Sequence, residues 1–391
     1  MNKTLKQLLK RTPIAWLQIT HNPVKMLIAL AGVSFSNLLM FFQLGLLDSL
    51  YNSQRKPIDR MQADLIMVSA KYSNLGALQD FQRSRLYQVL GVEGVQYVSP
   101  LRIARGTWVN PETRKSYDIY TFGVNLAYPS LDFPALAQNY SRLQPLRTAL
   151  YDRHSKPQYG DVAGTLARTG LFFTEINGKQ IKVVGTFEMG ATFAADANLI
   201  TSDNTLLYLF PNMDPNKIQV GLIQLKPGVS AQQVKATMQS LLTEDVMVVT
   251  KQELSQLELT YWKKTSSVGF IFSLGTLVGF IVGSIIVYQI LYGDVISSLP
   301  QYATLKAMGY TDRFVISVVI QQSAIFALIG FIPGLAISLG LYYLLATVTK
   351  LTIYMTMERA IQVLILTFIM CVGSGTLATK KLIQLDPADV F

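Results

Sequence analysis

The sequence predicts an integral membrane α-helical protein with four transmembrane helices and a large α+β domain between helices 1 and 2. Three observations carry that prediction. Half of the 391 residues are apolar and only 15% are charged, against about 25% charged in soluble domains. The apolar residues gather into four uncharged runs. Between the first two runs lies a long polar stretch, residues 48–267, big enough to fold by itself.

The first run, residues 27–47, lies between Lys25 and Asp48. At about 1.5 Å per residue it spans roughly 30 Å, the thickness of a hydrocarbon core. Residues 268–292 and 360–379 make the second and fourth spans. The third run, Phe314 to Thr349, reads as one tilted helix or a broken hairpin, with the span placed at 314–345. The first run is too long for a signal-peptide core and reads as an uncleaved anchor. Residues 1–26 carry Lys3, Lys6, Lys10, Arg11 and Lys25 with no acid, which places that segment in the cytoplasm. Four spans then return the tail, 380–391, to the same side, with Lys380 and Lys381 just inside. The 293–313 loop is cytoplasmic, and the 346–359 loop lies outside with the large domain. The net charge of +10 is accounted for by topology and anionic lipid headgroups, so no nucleic-acid partner is expected.

Within the large domain, Asp64–Val68 reads as a buried strand, Ala77–Leu90 as a helix and Val95–Val98 as the next strand. Ile218–Leu225 and Val246–Val249 read as strands flanking a helix capped by Ser230, with Val234, Met238 and Leu241 inward. Two β-α-β units separated by an insertion predict a split ferredoxin-like subdomain. The insertion, roughly 125–216, carries Ile181–Phe187 and Asn198–Thr201 as short strands and reads as a small β-rich subdomain. Residues 251–267 are polar, with Leu254, Leu257 and Tyr261 at helical spacing. They read either as a stalk running unbroken into the second span or as a surface helix followed by a loop.

Familiar catalytic patterns are missing. Cys371 is the single cysteine, and His21 and His154 are the two histidines, which leaves little for metal or acid–base chemistry. Gly178-Lys179 is followed by Gln180 and forms no phosphate loop. No charged side chain lies inside the four spans, so an ion relay has nothing to run on. The chain is expected to be a non-catalytic subunit without cofactor or metal.

The spans do carry small residues in register. Gly275, Gly279 and Gly283 form one stripe on the second span, and Gly330, Gly334 and Ser338 another on the third. Such stripes favour close helix packing, within the monomer or between subunits. Pro333 should kink the third span. In the 293–313 loop, Ser298 suits an N-cap, Pro300 a first turn and Gly309 a stop. They bracket a helix of nine residues, PQYATLKAM, with Tyr302, Leu305 and Met308 on one side. That apolar side needs lipid headgroups or a cytoplasmic partner to cover it.

PQYATLKAMGYTDRFV, QQSAIFALIGFIPGLAISLG and the closing LIQLDPADVF resemble the membrane subunit of MacB/FtsX/LolC-type ABC transporters. The opening AWLQITHNPVKMLIALAGVSFSNLLMFFQLGLLDSLYNS looks more specifically like the DevC branch. The resemblance covers the whole length. It implies a permease homodimer in the bacterial inner membrane, with the large domain in the periplasm. A separate cytoplasmic ABC ATPase, which would bind the ATP, is implied to dock on Pro300–Gly309, with Gln301, Tyr302, Leu305, Lys306, Met308 and Gly309 as coupling contacts. A periplasmic adaptor, a TolC-like outer-membrane duct and an amphiphilic cargo such as a glycolipid are implied for the DevC branch. An FtsX-like scaffold that regulates a wall hydrolase, or lipoprotein extraction, fits the same topology.

Overall fold

The structure, a computed structural model, describes residues 14–192, 194–351 and 353–383. In chain order it begins with helices α1 (Ile14–His21) and α2 (Pro23–Asp59), then β1 (Leu65–Ser69), β2 (Phe81–Gln82), α3 (Arg83–Gln88), β3 (Val95–Val109) and β4 (Ser116–Val124). Helices α4 (Pro134–Gln138) and α5 (Tyr140–Leu143) precede β5 (Thr148–Asp152), α6 (Val162–Thr169), β6 (Phe172–Ile176), β7 (Lys179–Phe187) and β8 (Asn198–Ser202). There follow α7 (Asp203–Leu209), β9 (Lys217–Ile218), β10 (Val220–Leu225), α8 (Ala231–Leu241), β11 (Val246–Thr250) and α9 (Lys251–Lys264). The chain continues with α10 (Ser267–Ser297), α11 (Leu299–Ala307), α12 (Asp312–Thr349) and α13 (Met357–Ile383).

Four helices are long and apolar enough to cross a membrane: α2, α10, α12 and α13 through Thr379. The third apolar run is therefore one helix, with Pro333 inside it. The chain divides into two compact units. One holds most of the membrane helices, with Asp48 and Phe270 at its borders, and the other is the inserted domain, Ser49–Gly269, together with Leu345–Thr352.

In the inserted domain, β11, β1, β10 and β3 pair in that order, every pair antiparallel. Numbered along the chain these are strands 4-1-3-2 of the ferredoxin-like arrangement, split after its second strand. The strands read as near-continuous apolar runs because both faces are buried. Leu65 and Met67 pack under α3 and α8 with Leu86, Val234 and Met238. Ile66 and Val68 turn the other way, against Ile58, Leu222, Val249 and Leu254.

The β-rich insertion is not a detached sheet. β3 runs 15 residues, and its second half pairs with β4. The ladder continues through β8, β5, β7 and β6, and β6 returns to pair with β3 at Trp108 and Val109. Six strands thus close into a small barrel that shares β3 with the ferredoxin-like half. Its interior holds Trp108, Tyr151, Phe172, Val183 and Leu199. Trp108 donates its indole N–H to the Tyr159 carbonyl at 3.1 Å and stacks on Phe172. Trp108→Ala is expected to cost about 3–5 kcal/mol, read as an earlier unfolding midpoint in denaturant.

Two expected helices differ in the structure. The Ala77–Leu90 segment is helical only over Arg83–Gln88, flanked by short 3-10 turns. Phe81 and Gln82 are instead drawn into a ribbon with Ile218 and Lys217, a pairing that local periodicity does not encode. The stalk is also interrupted. α9 ends at Lys264, where the Thr265 and Ser266 amides both bond to the Tyr261 carbonyl. Ser266 Oγ then accepts the Val268 amide and caps the start of α10. Ser230 sits at the N-cap of α8 but makes no side-chain cap bond. Thr250 and Glu253 instead form a full capping box on α9.

Glu258 of α9 is fully buried. Its carboxylate accepts from the Tyr72 hydroxyl at 2.5 Å, the Leu75 amide at 3.0 Å and the Trp262 indole at 2.8 Å. Burial pushes its pKa above the usual glutamate range, and the three donors pull it partly back. The folded state therefore holds a proton that the unfolded chain releases, so stability falls as pH rises from the ordinary glutamate pKa through the raised one. Glu253, held low by Lys235 and the Thr250 amide, already contributes fully above pH ~5. The unfolding temperature is expected to drop by about a few degrees as pH rises from the ordinary glutamate pKa of about 4.3 through the raised one. Glu258→Gln should flatten that dependence; an unchanged slope would exclude Glu258 as its source.

Candidate functional site

The α11 helix has two well-formed ends. The Ser298 carbonyl accepts the Tyr302 amide at 3.0 Å, and Pro300 lies in the first turn. At the other end Gly309 takes φ +93°, and the Tyr310 amide reaches back to the Leu305 carbonyl at 3.1 Å. That is a Schellman stop, which needs a left-handed residue where glycine carries no Cβ penalty.

The helix is turned differently from the expected stripe. Tyr302 is 2% exposed and packs with Val295 of α10 and Val319 of α12. Its hydroxyl donates to Gln18 Oε1 at 3.3 Å, and the same oxygen accepts the Gln322 amide group at 2.8 Å. Burial raises the phenol to about 12, so it stays protonated and available as a donor. Leu305 is half-buried against the same cluster. Gln301, Thr304 and Met308 face outward, Met308 at 63% exposed. They line a groove of about 760 Å³ whose opposite wall comes from Leu17, His21 and Lys25. Lys25 lies 3.6 Å from Asp294. The Lys306 side chain and the Asp386-Pro387 motif lie outside the described parts of the structure.

One residue, Ser298, separates α10 from α11. The ring of Tyr302 and the Gln18 amide tie α11 to α10, α12 and α1. Sequence reasoning had no signal for Gln18, because a lone polar residue in a short helix marks no site by itself.

Both glycine stripes face α2 of the same chain. A methyl at Gly275 would lie 2.5 Å from the Gln43 side chain, and one at Gly283 would meet Met370 of α13 as well as Ser36 Oγ at 2.5 Å. At Gly279 the nearest atom is Leu39 Cβ, 3.2 Å away. Gly330 would meet Val33 at 2.7 Å and Gly334 would meet Asn37 at 2.8 Å. Of the two readings left open by the sequence, packing within the monomer accounts for these close approaches. Polar bonds reinforce them: Ser34 Oγ donates to the Gly330 carbonyl at 3.0 Å, and the Thr367 hydroxyl donates to Asn37 Oδ1 at 2.5 Å.

These features define a four-span helical membrane protein with an inserted ferredoxin-like and barrel domain. Residues 272–387, which include α11 and the last two spans, match the family model of the FtsX-like permease C-terminal domain. No curated protein sequence matches the chain. Among solved structures, the extracellular domain of the noncanonic ABC-type transporter YknZ from Gram-positive bacteria is 16% identical, covering 48% of this chain and 99% of its own, with a TM-score of 0.34. The periplasmic region of MacB from Actinobacillus actinomycetemcomitans is 13% identical, covering 50% and 92%, with a TM-score of 0.34. A domain of a putative permease protein from Porphyromonas gingivalis is 14% identical, covering 48% and 88%, with a TM-score of 0.32.

Proposed function

We propose that the chain is the permease subunit of an ABC exporter, moved by a separate cytoplasmic ATPase that docks on α11. The observation that carries this reading is the exposed Gln301–Thr304–Met308 face of a helix anchored from behind by Tyr302, inside the stretch that matches the FtsX-like permease domain. In this reading α1, α11 and both chain termini are cytoplasmic, and the inserted domain is periplasmic. Two copies pair with two ATPases, and ATP-driven closure is relayed through α2 and α9–α10 to the inserted domain. The similarity to the DevC branch supports an amphiphilic cargo such as a glycolipid, passed to a periplasmic adaptor and a TolC-like duct. Mild crosslinking in native membranes followed by mass spectrometry tests it. An ATP-binding subunit joined to α11 peptides is the expected result. Recovery of a wall hydrolase without an adaptor would replace export by a regulatory scaffold, and recovery of no ATPase would overturn both.

A further inference from the structure

The outer wall of the barrel carries a cleft of about 410 Å³, within the range of small-molecule sites. Its walls combine two chemistries. Leu146, Leu171 and Phe173 are exposed, Phe173 at 52% on the outward face of β6. Arg142, Arg147 and Lys182 line the same cleft, with no carboxylate among the lining residues. Among the described residues none of the three cations is in an ion pair.

The two guanidiniums are nevertheless held in place. Arg142 Nη1 donates to the Val184 carbonyl at 2.8 Å and to Asn139 Oδ1 at 3.3 Å. Arg147 lies 4.8 Å above the Tyr208 ring. Its backbone takes φ +65°, a left-handed conformation that a non-glycine residue adopts at a cost. That conformation is fixed on both sides, because the Arg147 amide donates to Thr205 Oγ1 at 3.2 Å and its carbonyl accepts the Lys182 amide at 2.8 Å. Two fixed guanidiniums and the Lys182 ammonium, none of them in an ion pair, repel one another, and the apolar wall beside them gains nothing from water. Both costs disappear together when one ligand supplies an anion and an alkyl chain.

We infer that this cleft binds an anionic single-chain amphiphile, with its charged head on Arg142, Arg147 and Lys182 and its chain along Leu146, Leu171 and Phe173. The site lies wholly in the inserted domain and does not depend on the permease reading.

The test uses the full chain in nanodiscs and an alkyl phosphate bearing a diazirine near the head, kept below its micellar concentration. After illumination, label is expected on peptides covering residues 142–148 and 171–184. Excess unlabelled alkyl phosphate should compete, while a neutral alkyl glycoside and inorganic phosphate should not. The double variant Arg142→Gln/Lys182→Gln should lower barrel labelling by about tenfold, the loss of a charge-assisted contact, with only a small fall in thermal unfolding from the lost Arg142 bonds to Val184 and Asn139. Phe173→Ser should lower it while leaving the fold intact. Barrel peptides left unlabelled, or labelled equally by a neutral diazirine glycoside, would overturn the proposal. Full competition by inorganic phosphate would also overturn it, since the site would then take a free anion. The competition series is run on the parent protein and decides the matter even if a variant misfolds.

Discussion

Asp48→Ala is expected to destabilise the membrane bundle by about 3 kcal/mol, and Arg359→Met by only about 1 kcal/mol, although the two residues form one ion pair. The asymmetry follows from burial. The Arg359 side chain is 4% exposed, whereas that of Asp48 is 44% exposed. Arg359 Nε and Nη2 both donate to Asp48 Oδ2, at 3.0 and 2.5 Å, and Nη1 donates to the Tyr354 carbonyl at 2.8 Å. Its guanidinium also sits 5.4 Å over the Tyr342 ring, whose hydroxyl donates to the Phe41 carbonyl. The cluster therefore joins α2, α12 and α13 at one end of the bundle. Removing Asp48 strands a buried cation in the first turn of α13, where the helix dipole already opposes it. Removing Arg359 leaves a carboxylate that water can reach. Unfolding of the detergent-solubilised variants should show this order, with the double variant close to Arg359→Met alone. Equal losses from the two single variants would mean that the stranded charge is not the cause.

That cluster also shows what a sequence conceals. Asp48 and Arg359 each flank an apolar run and read as ordinary boundary charges, since nothing local says that the two ends meet. The four spans were legible because burial in a bilayer imposes a length and a composition on contiguous residues. The glycine stripes were legible as a face, but a period of four names no partner; both stripes meet α2, and Gly283 meets Met370 of α13 as well. The ferredoxin-like order was readable from its β-α-β spacing. The barrel was not, because Pro100 and Gly106 look like the end of a strand. Both lie inside β3, where Pro100 pairs across to Gly221. A Cβ at Gly106 would crowd Ile176 and Phe210 at 2.9 Å, so this glycine admits the strand that closes the barrel. The ends of α11 were encoded locally by Ser298, Pro300 and Gly309. Its rotation was not, because Tyr302, Leu305 and Met308 can share one stripe while tertiary packing takes the first and leaves the last in solvent.

Met308→Asp is the substitution expected to separate docking from folding. Met308 lies in solvent past the last turn of α11, so a carboxylate there costs the isolated chain little. A partner that buries this position would have to desolvate an unpaired charge, a loss of about 2 kcal/mol or more, or roughly 30-fold in affinity. Leu305→Asp is less informative, because Leu305 packs against Val295 and Tyr302 and its loss would disturb the anchor as well as the surface. Tyr302→Phe supplies the opposite control: the ring stays and only the bond to Gln18 is lost, about 1 kcal/mol. The expected pattern is normal membrane insertion and thermal stability for Met308→Asp with lost ATPase association and lost transport. Tyr302→Phe should keep both activities at slightly lower stability. If Met308→Asp binds the ATPase as well as the parent chain does, the outward face of α11 is not the docking surface.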